Sequence, residues 1–187
     1  MLDKYFDNKG WCSFAKKIES PNYNNRPSGV RGEISLLVIH CISLPEGSYD
    51  NDNVETFFLN QLDYTQDECF QSLRTLKVSS HFYIKRNGEI IQFVSTDKRA
   101  WHAGISAYKG RENCNDFSIG IELQGTDHSA FSEDQYNSLA DLTNTLLLRY
   151  PKIKGNIQGH QDIAPERKKD PGKLFDWSHY LTMIQSN

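Results

Sequence analysis

Between Gly159 and Trp177 the chain reads GHQDIAPERKKDPGKLFDW, crowding His160, Asp162, Glu166, Arg167, Lys168, Lys169 and Asp170 into one short span. Pro165, Pro171 and Gly172 interrupt it. Proline lacks an amide N–H and biases the preceding residue toward extended backbone, so neither helix nor strand is expected and the span reads as a loop. Its polar side chains are then either solvated or aimed at something. Imidazole nitrogen and carboxylate oxygen bind a divalent metal when deprotonated, which singles out His160 and Asp170. The third candidate ligand is His40, at the end of the apolar run Ile34–Ile39. Three protein ligands with a fourth position left for water are the pattern of a catalytic zinc centre, whereas structural centres are closed and usually rich in cysteine. Such an ion polarises a carbonyl and brings the pKa of its water toward ~7. Glu122 is then the candidate that takes the proton. Lys168, two residues before Asp170, is the candidate that steadies the oxyanion of a tetrahedral intermediate.

The elements that must position these groups follow from patterning. Ile34-Ser-Leu-Leu-Val-Ile39 is apolar on both sides, hence a strand covered on both faces, and His40 sits where α/β sheets place functional groups. A lone histidine there is more often simply hydrogen-bonded, and His81, His102, His128 and His179 each read, taken singly, as structural or exposed. In Asp116–Gly125, Ile119, Ile121 and Leu123 alternate with Ser118, Gly120 and Glu122, so period two sets Glu122 opposite the isoleucines. A buried, unpaired carboxylate is costly, so Glu122 lies on an exposed sheet face or lines a polar cleft; the cleft is favoured, because site carboxylates are often placed where burial raises their pKa.

Further elements complete the frame. His81–Lys85 and Glu89–Val94 flank Arg86-Asn87-Gly88, a hairpin signal. Ser132 with Gln135 three residues on is a capping box that opens an amphipathic helix ending before Pro151. Asn156–Gly159 reads as a brief strand delivering His160, and Phe175–Ile184 as a closing helix. Trp11–Ile18 reads as a short helical patch, as do VETFFLNQL and DECFQSLRTL. DKRAWHAGIS presents Trp101 and His102 beside a glycine, an exposed-aromatic loop suited to a binding lip or a lid. These elements together predict an α/β fold with a central mixed β-sheet flanked by helices. One domain covers 1–187, with an N-terminal helix and surface loop in 1–33 and the core in 34–187.

Composition narrows the class. At 187 residues the chain is long enough to bury a real core without staples. A formal charge of -3 and the lack of a Lys/Arg run give no electrostatic support for nucleic acid or an anionic membrane. Cys12, Cys41, Cys69 and Cys114 are scattered, with no CxxC pair, which fits free thiols in a reducing cytoplasm. The first twenty residues carry charges throughout and lack the apolar core of a signal peptide, and no apolar run approaches the ~20 residues of a membrane span.

The segments LLVIHCISLP, VSSHFYIKRNGEIIQFV, DKRAWHAGIS, GRENCNDFSIGIELQGTD and GHQDIAPERKKDPGKLFDW resemble the zinc-dependent N-acetylmuramoyl-L-alanine amidases, and in particular their cytoplasmic AmpD branch. The likeness runs in order from about Trp11 to about Trp177, nearly the whole chain. It implies a fold shared with phage amidases and peptidoglycan recognition proteins, with Zn2+ in a surface groove. By the same resemblance His40, His160 and Asp170 match the zinc ligands, Glu122 the catalytic acid/base, and Lys168 the lysine that stabilises the transition state. The implied reaction is hydrolysis of the amide between the lactyl group of a muramic acid, preferably the 1,6-anhydro sugar, and L-alanine of the stem peptide. The implied setting is peptidoglycan recycling by a cytoplasmic monomer, with muropeptides as its only partners; loss of the activity would raise muropeptides that in some bacteria induce a β-lactamase. Trp101, Lys77 and Asn113 stand as substrate contacts. Lys77 and Asn113 replace arginines expected from the AmpD pattern, and asparagine cannot offer the charged, bidentate grip of arginine on a carboxylate. Cys41 replaces an expected asparagine and reads as a small buried hydrophobe. Asp162 and Glu166 read as loop-ordering or solvated.

Other classes fit less well. A non-catalytic peptidoglycan-binding module on the same fold is expected to lose one or more ligands, and all are present. An amidase acting on intact wall calls for an export signal, a lysis partner or a wall anchor. An unrelated zinc peptidase predicts HExxH, which does not occur.

Overall fold

The computed structural model describes residues 5–185. Along them run β1 (Lys16–Lys17), β2 (Tyr23–Asn25), β3 (Leu36–Ile42), α1 (Asn53–Phe58), β4 (Phe82–Ile84), β5 (Ile90–Gln92) and β6 (Lys98–Ala100). They continue with β7 (Ala107–Tyr108), β8 (Arg111–Glu112), β9 (Ser118–Gln124), α2 (Glu133–Arg149), β10 (Ile157–Gly159), α3 (His160–Ile163) and α4 (Trp177–Gln185). The central sheet has strand order β1-β5-β4-β9-β3-β10, and only the β4–β5 hairpin pairs antiparallel. The expected mixed sheet with flanking helices is therefore what the chain builds. Its middle is formed by β3 and β9, the apolar runs that patterning picks out.

The two sheet faces are divided by residue parity. Leu37 and Ile39 of β3 and Ile119, Ile121 and Leu123 of β9 point to one side and pack against Tyr136, Leu139, Leu142 and Leu146 of α2 and Tyr180 of α4. Burying each such aliphatic side chain is worth roughly 1.5–3 kcal/mol relative to exposure. On the other side, Leu36 and Val38 pack with Ala103, Cys114, Phe117 and Ile163, while Tyr83 and Ile91 pack with Val54, Phe57 and Phe58 of α1. His40 and Glu122 share this second side, opposite each other in the parallel β3–β9 register, and Tyr83 lies opposite Glu122 on β4. On the far flank β3 pairs with β10, Ile39 opposite Gly159, so His160 begins one residue past the paired strand. The capping box of α2 forms as expected, Ser132 Oγ accepting from the Gln135 amide at 3.2 Å and Gln135 Oε1 from the Ser132 amide at 3.1 Å.

Three local expectations are corrected. Trp11–Ile18 is not a helix. Gly10 takes φ +75°, the Asp7 carboxylate accepts the amides of Lys9 and Trp11, and Lys16–Lys17 add a parallel edge strand to β5. Non-local backbone pairing overrides the local pattern there. DECFQSLRTL forms a 3-10 turn over Glu68–Leu73 rather than an α-helix, with Asp67 accepting from the Cys69 amide. The proline-rich span opens with one helical turn, His160–Ile163, which closes before Pro165.

Candidate active site

The segments that carry His40, His160 and Asp170 converge on one point. His40 Nδ1 lies 2.9 Å from His160 Nδ1 and 3.2 Å from Asp170 Oδ2, and His160 Nδ1 lies 3.1 Å from the same oxygen. Both imidazoles are almost fully buried, at 1% and 2% exposure. The other nitrogen of each ring is held from behind. His160 Nε2 donates to the Ala103 carbonyl at 3.1 Å, which turns Nδ1 toward the triangle. His40 Nε2 lies 2.9 Å from His102 Nδ1. Two ring nitrogens and a carboxylate oxygen gathered at ~3 Å, backed by second hydrogen bonds, are what a divalent cation of the zinc kind takes. The donor set therefore fits a metal.

Electrostatics agree with that purpose. Burial, and after it the neighbouring His160, pulls the His40 pKa down to about 4, so the ring is neutral and able to ligate. Burial pushes Asp170 upward, but hydrogen bonds and charge from His160 and His40 outweigh it and hold the carboxyl well below the usual carboxylate range. Glu122 is 9% exposed, its Oε1 4.0 Å from His40 Nδ1 and its Oε2 without a hydrogen-bond partner. Burial, then the charge of Asp170, lifts its pKa well above the ordinary value, while Lys168 pulls it back. The half-buried Lys168 follows a turn in which its amide donates to the Ala164 carbonyl at 2.9 Å, and its charge reaches both Glu122 and His40. It lines a cavity of about 400 Å³ together with Asp170, Asp127 and Thr126. A buried base, a metal-competent triangle and a lysine whose charge reaches both form a hydrolytic arrangement.

A family model described as N-acetylmuramoyl-L-alanine amidase matches residues 30–173. The chain belongs to the N-acetylmuramoyl-L-alanine amidase family. It is therefore an amidase. It is 48% identical over 176 residues to the 1,6-anhydro-N-acetylmuramyl-L-alanine amidase AmpD of Citrobacter freundii, covering 94% of this chain and 93% of that one. A crystal structure of an AmpD derivative superposes with a TM-score of 0.92 at 48% identity, covering 96% of this chain and 98% of the other. The E. coli amidase AmiD, in complex with the substrate anhydro-N-acetylmuramic acid-L-Ala-D-gamma-Glu-L-Lys, matches with a TM-score of 0.58 at 30% identity, over 87% of this chain and 65% of that one.

In this amidase the residues expected to touch substrate are more dispersed. Trp101 turns its indole Nε1–H to Asn24 Oδ1 at 2.9 Å, on the loop beside His102. Asn113, exposed and with φ 58°, borders a cavity of about 470 Å³ with Ile163, Ala164 and Arg167. Lys77 is exposed on the segment leading to Ser79, whose amide donates to the Trp101 carbonyl at 3.2 Å. Cys41 points to the opposite sheet face, its Sγ 3.9 Å from the Pro171 carbonyl, and burial pushes its thiol pKa up, so it does not compete for the triangle. Asp162 accepts the Gly159 amide at 2.7 Å and orders the loop, while Glu166 is exposed. Sequence reasoning missed how closely His102 engages His40. The signal was Gly120, a residue with no side chain midway between Ser118 and Glu122 on the same strand face. Among the described residues no helix is long and apolar enough to cross a membrane.

Proposed function

We propose that the chain is a zinc amidase that hydrolyses the amide between the lactyl group of 1,6-anhydro-N-acetylmuramic acid and the L-alanine of its stem peptide. The observation that carries this is the triangle of His40 Nδ1, His160 Nδ1 and Asp170 Oδ2 with Glu122 alongside. The near-full-length similarity to AmpD supports the choice of substrate. In this reading His40, His160 and Asp170 hold Zn2+. When bound, the ion supplies Lewis acidity toward the scissile carbonyl and an attacking water. Glu122 accepts the proton of that water and returns it to the departing amide nitrogen, work suited to a carboxyl whose pKa is raised by burial. Lys168 places positive charge beside the developing oxyanion. Trp101, Lys77 and Asn113 are the candidate contacts to the muropeptide.

Residues 1–187 act as one catalytic domain, a reading supported by β1, through which the N-terminal segment joins the central sheet. The unpaired Cys12, Cys41, Cys69 and Cys114 support a cytoplasmic recycling role. The test is a paired assay on metal-analysed protein, with 1,6-anhydro-muramyl-tripeptide and intact peptidoglycan as substrates, each with and without chelator. Chelator-sensitive peptide release from the anhydro substrate, with little from intact wall, is the expected result. Preferential attack on intact wall would move the protein to a lytic role, and no cleavage of either by zinc-loaded protein would end the proposal.

A further inference from the structure

His40 reaches the rest of the protein through its second ring nitrogen, and that contact is a side chain rather than the backbone carbonyl that serves His160. His102 Nδ1 lies 2.9 Å from His40 Nε2, and His102 Nε2 lies 3.1 Å from Ser118 Oγ. Ser118 and Gly120 share one face of β9, and together they shape a slot for the His102 ring. A Cβ added at Gly120 would come within 2.5 Å of both Cγ and Nδ1 of His102, closer than real side chains approach, so a larger residue at 120 would drive the ring off. The His81 and His40 rings meet it edge-on, with centroids 5.6 and 5.0 Å away. Its backbone is fixed as well, because Asn115 Oδ1 accepts the amides of both His102 and Ala103, at 3.1 and 2.8 Å.

We propose that His102 is a positioning residue whose Nδ1 accepts the Nε2–H of His40, which keeps the Nδ1 of His40 free of its proton and aimed at His160 and Asp170. The role rests on the metal-site reading above. A neutral imidazole carries one proton. With the proton of His102 on Nε2, toward Ser118 Oγ, its Nδ1 is an acceptor and His40 must donate from Nε2. In the opposite tautomer His40 would carry its proton on Nδ1, pointing into the triangle, where it excludes a cation. Ser118, Gly120 and Asn115 thus act on the candidate metal site through one ring, without touching the triangle.

Zinc affinity, measured by competition with a chromophoric chelator, separates this role from mere packing. His102→Phe keeps the ring volume and loses the acceptor; His102→Asn loses volume but puts Oδ1 where Nδ1 stood. Outer partners of this kind are worth about 10–100-fold in metal affinity, so His102→Phe is expected to bind zinc that much more weakly and His102→Asn to stay within about threefold of wild type. Unfolding midpoints of the metal-free variants confirm that both are folded. If the phenylalanine variant does not fold, His102→Gln replaces it, because its acceptor sits at the far position, and it is expected to show the same loss. The reverse order, with phenylalanine tolerated and asparagine impaired, would mean that the ring only packs and would overturn the assignment. Equal affinity of all variants would do the same while leaving the metal reading intact. A wild-type chain that takes up no zinc would overturn both.

Discussion

Glu122→Gln isolates proton transfer from every other feature of the site. Glutamine keeps the volume of a side chain that is 9% exposed and sits 4.0 Å from His40 Nδ1, but it cannot accept a proton. A positioned general acid/base is worth about 10²–10⁴ in rate, or ~3–5 kcal/mol of barrier, and that loss is expected in kcat for peptide release from the anhydro-muramyl substrate. Zinc content should remain at the wild-type level, since Glu122 is not one of the three converging donors. Stability should move the other way. The folded-state pKa of Glu122 is raised above its ordinary value of 4.5, so the stabilisation it contributes is complete below 4.5 and falls away as pH rises through the folded value. Glutamine has no such dependence. Metal-free Glu122→Gln should therefore gain in melting temperature relative to metal-free wild type as pH is raised from 4.5 to 8. A zinc-loaded variant whose kcat stays within about tenfold of wild type would refute the assignment of the base. Loss of zinc would instead make Glu122 a ligand.

The remaining tests address the other groups. Asp170→Ala should lower zinc affinity itself, read as a lower chelator concentration for half-removal; undiminished affinity would remove Asp170 from the ligand set. Lys168→Met should lower kcat more than it raises KM, because a charge beside the oxyanion acts chiefly in the transition state; a change confined to KM would make Lys168 a substrate-binding group. In the metal-free Glu122→Gln background, stability should fall as pH drops from about 6.5 to about 4, because unfolded His40 takes up its proton near 6.5 and folded His40 only near 4. Each pH unit in that window costs ~1.4 kcal/mol for one such group. A flat melting temperature across it would show that His40 is not held neutral by the fold.

How far the sequence could be read depended on whether a signal was local. The apolar runs of β3 and β9, the Asn87-Gly88 hairpin and the Ser132–Gln135 cap are all written in neighbouring residues, and all form. The alternation through Ser118–Gln124 was enough to set Glu122 opposite the isoleucines, and the sheet pairing then places it beside His40. Trp11–Ile18 failed because its apolar residues are spent on a sheet edge, where the Ile18 amide donates to Gln92 across the chain. Taken alone, His102 carries no such local signal. Its role depends on Gly120 and on His40, which lie 18 and 62 positions away and meet it only through the fold.

The pairing of β3 with β10 bears on how a metal ion would enter the energetics of folding. Ile39 and Gly159 face each other in register, so His40 and His160 are already neighbours through backbone hydrogen bonds of the sheet. The Gln161 amide, donating to the Asp170 carbonyl at 2.9 Å, draws in the third group. A cation at the triangle then adds only one new closure, across the ten positions from His160 to Asp170. The entropy of loop closure rises with the logarithm of length, so so short a ring, partly tied already, restrains the unfolded chain little. Small metal-nucleated domains, by contrast, are unfolded until the ion binds. Here the sheet pairing does not need the ion, so the metal-free chain is expected to keep its fold. Amides of β3 and β10 should keep their hydrogen-exchange protection when zinc is stripped away, and only residues 161–170 should exchange faster.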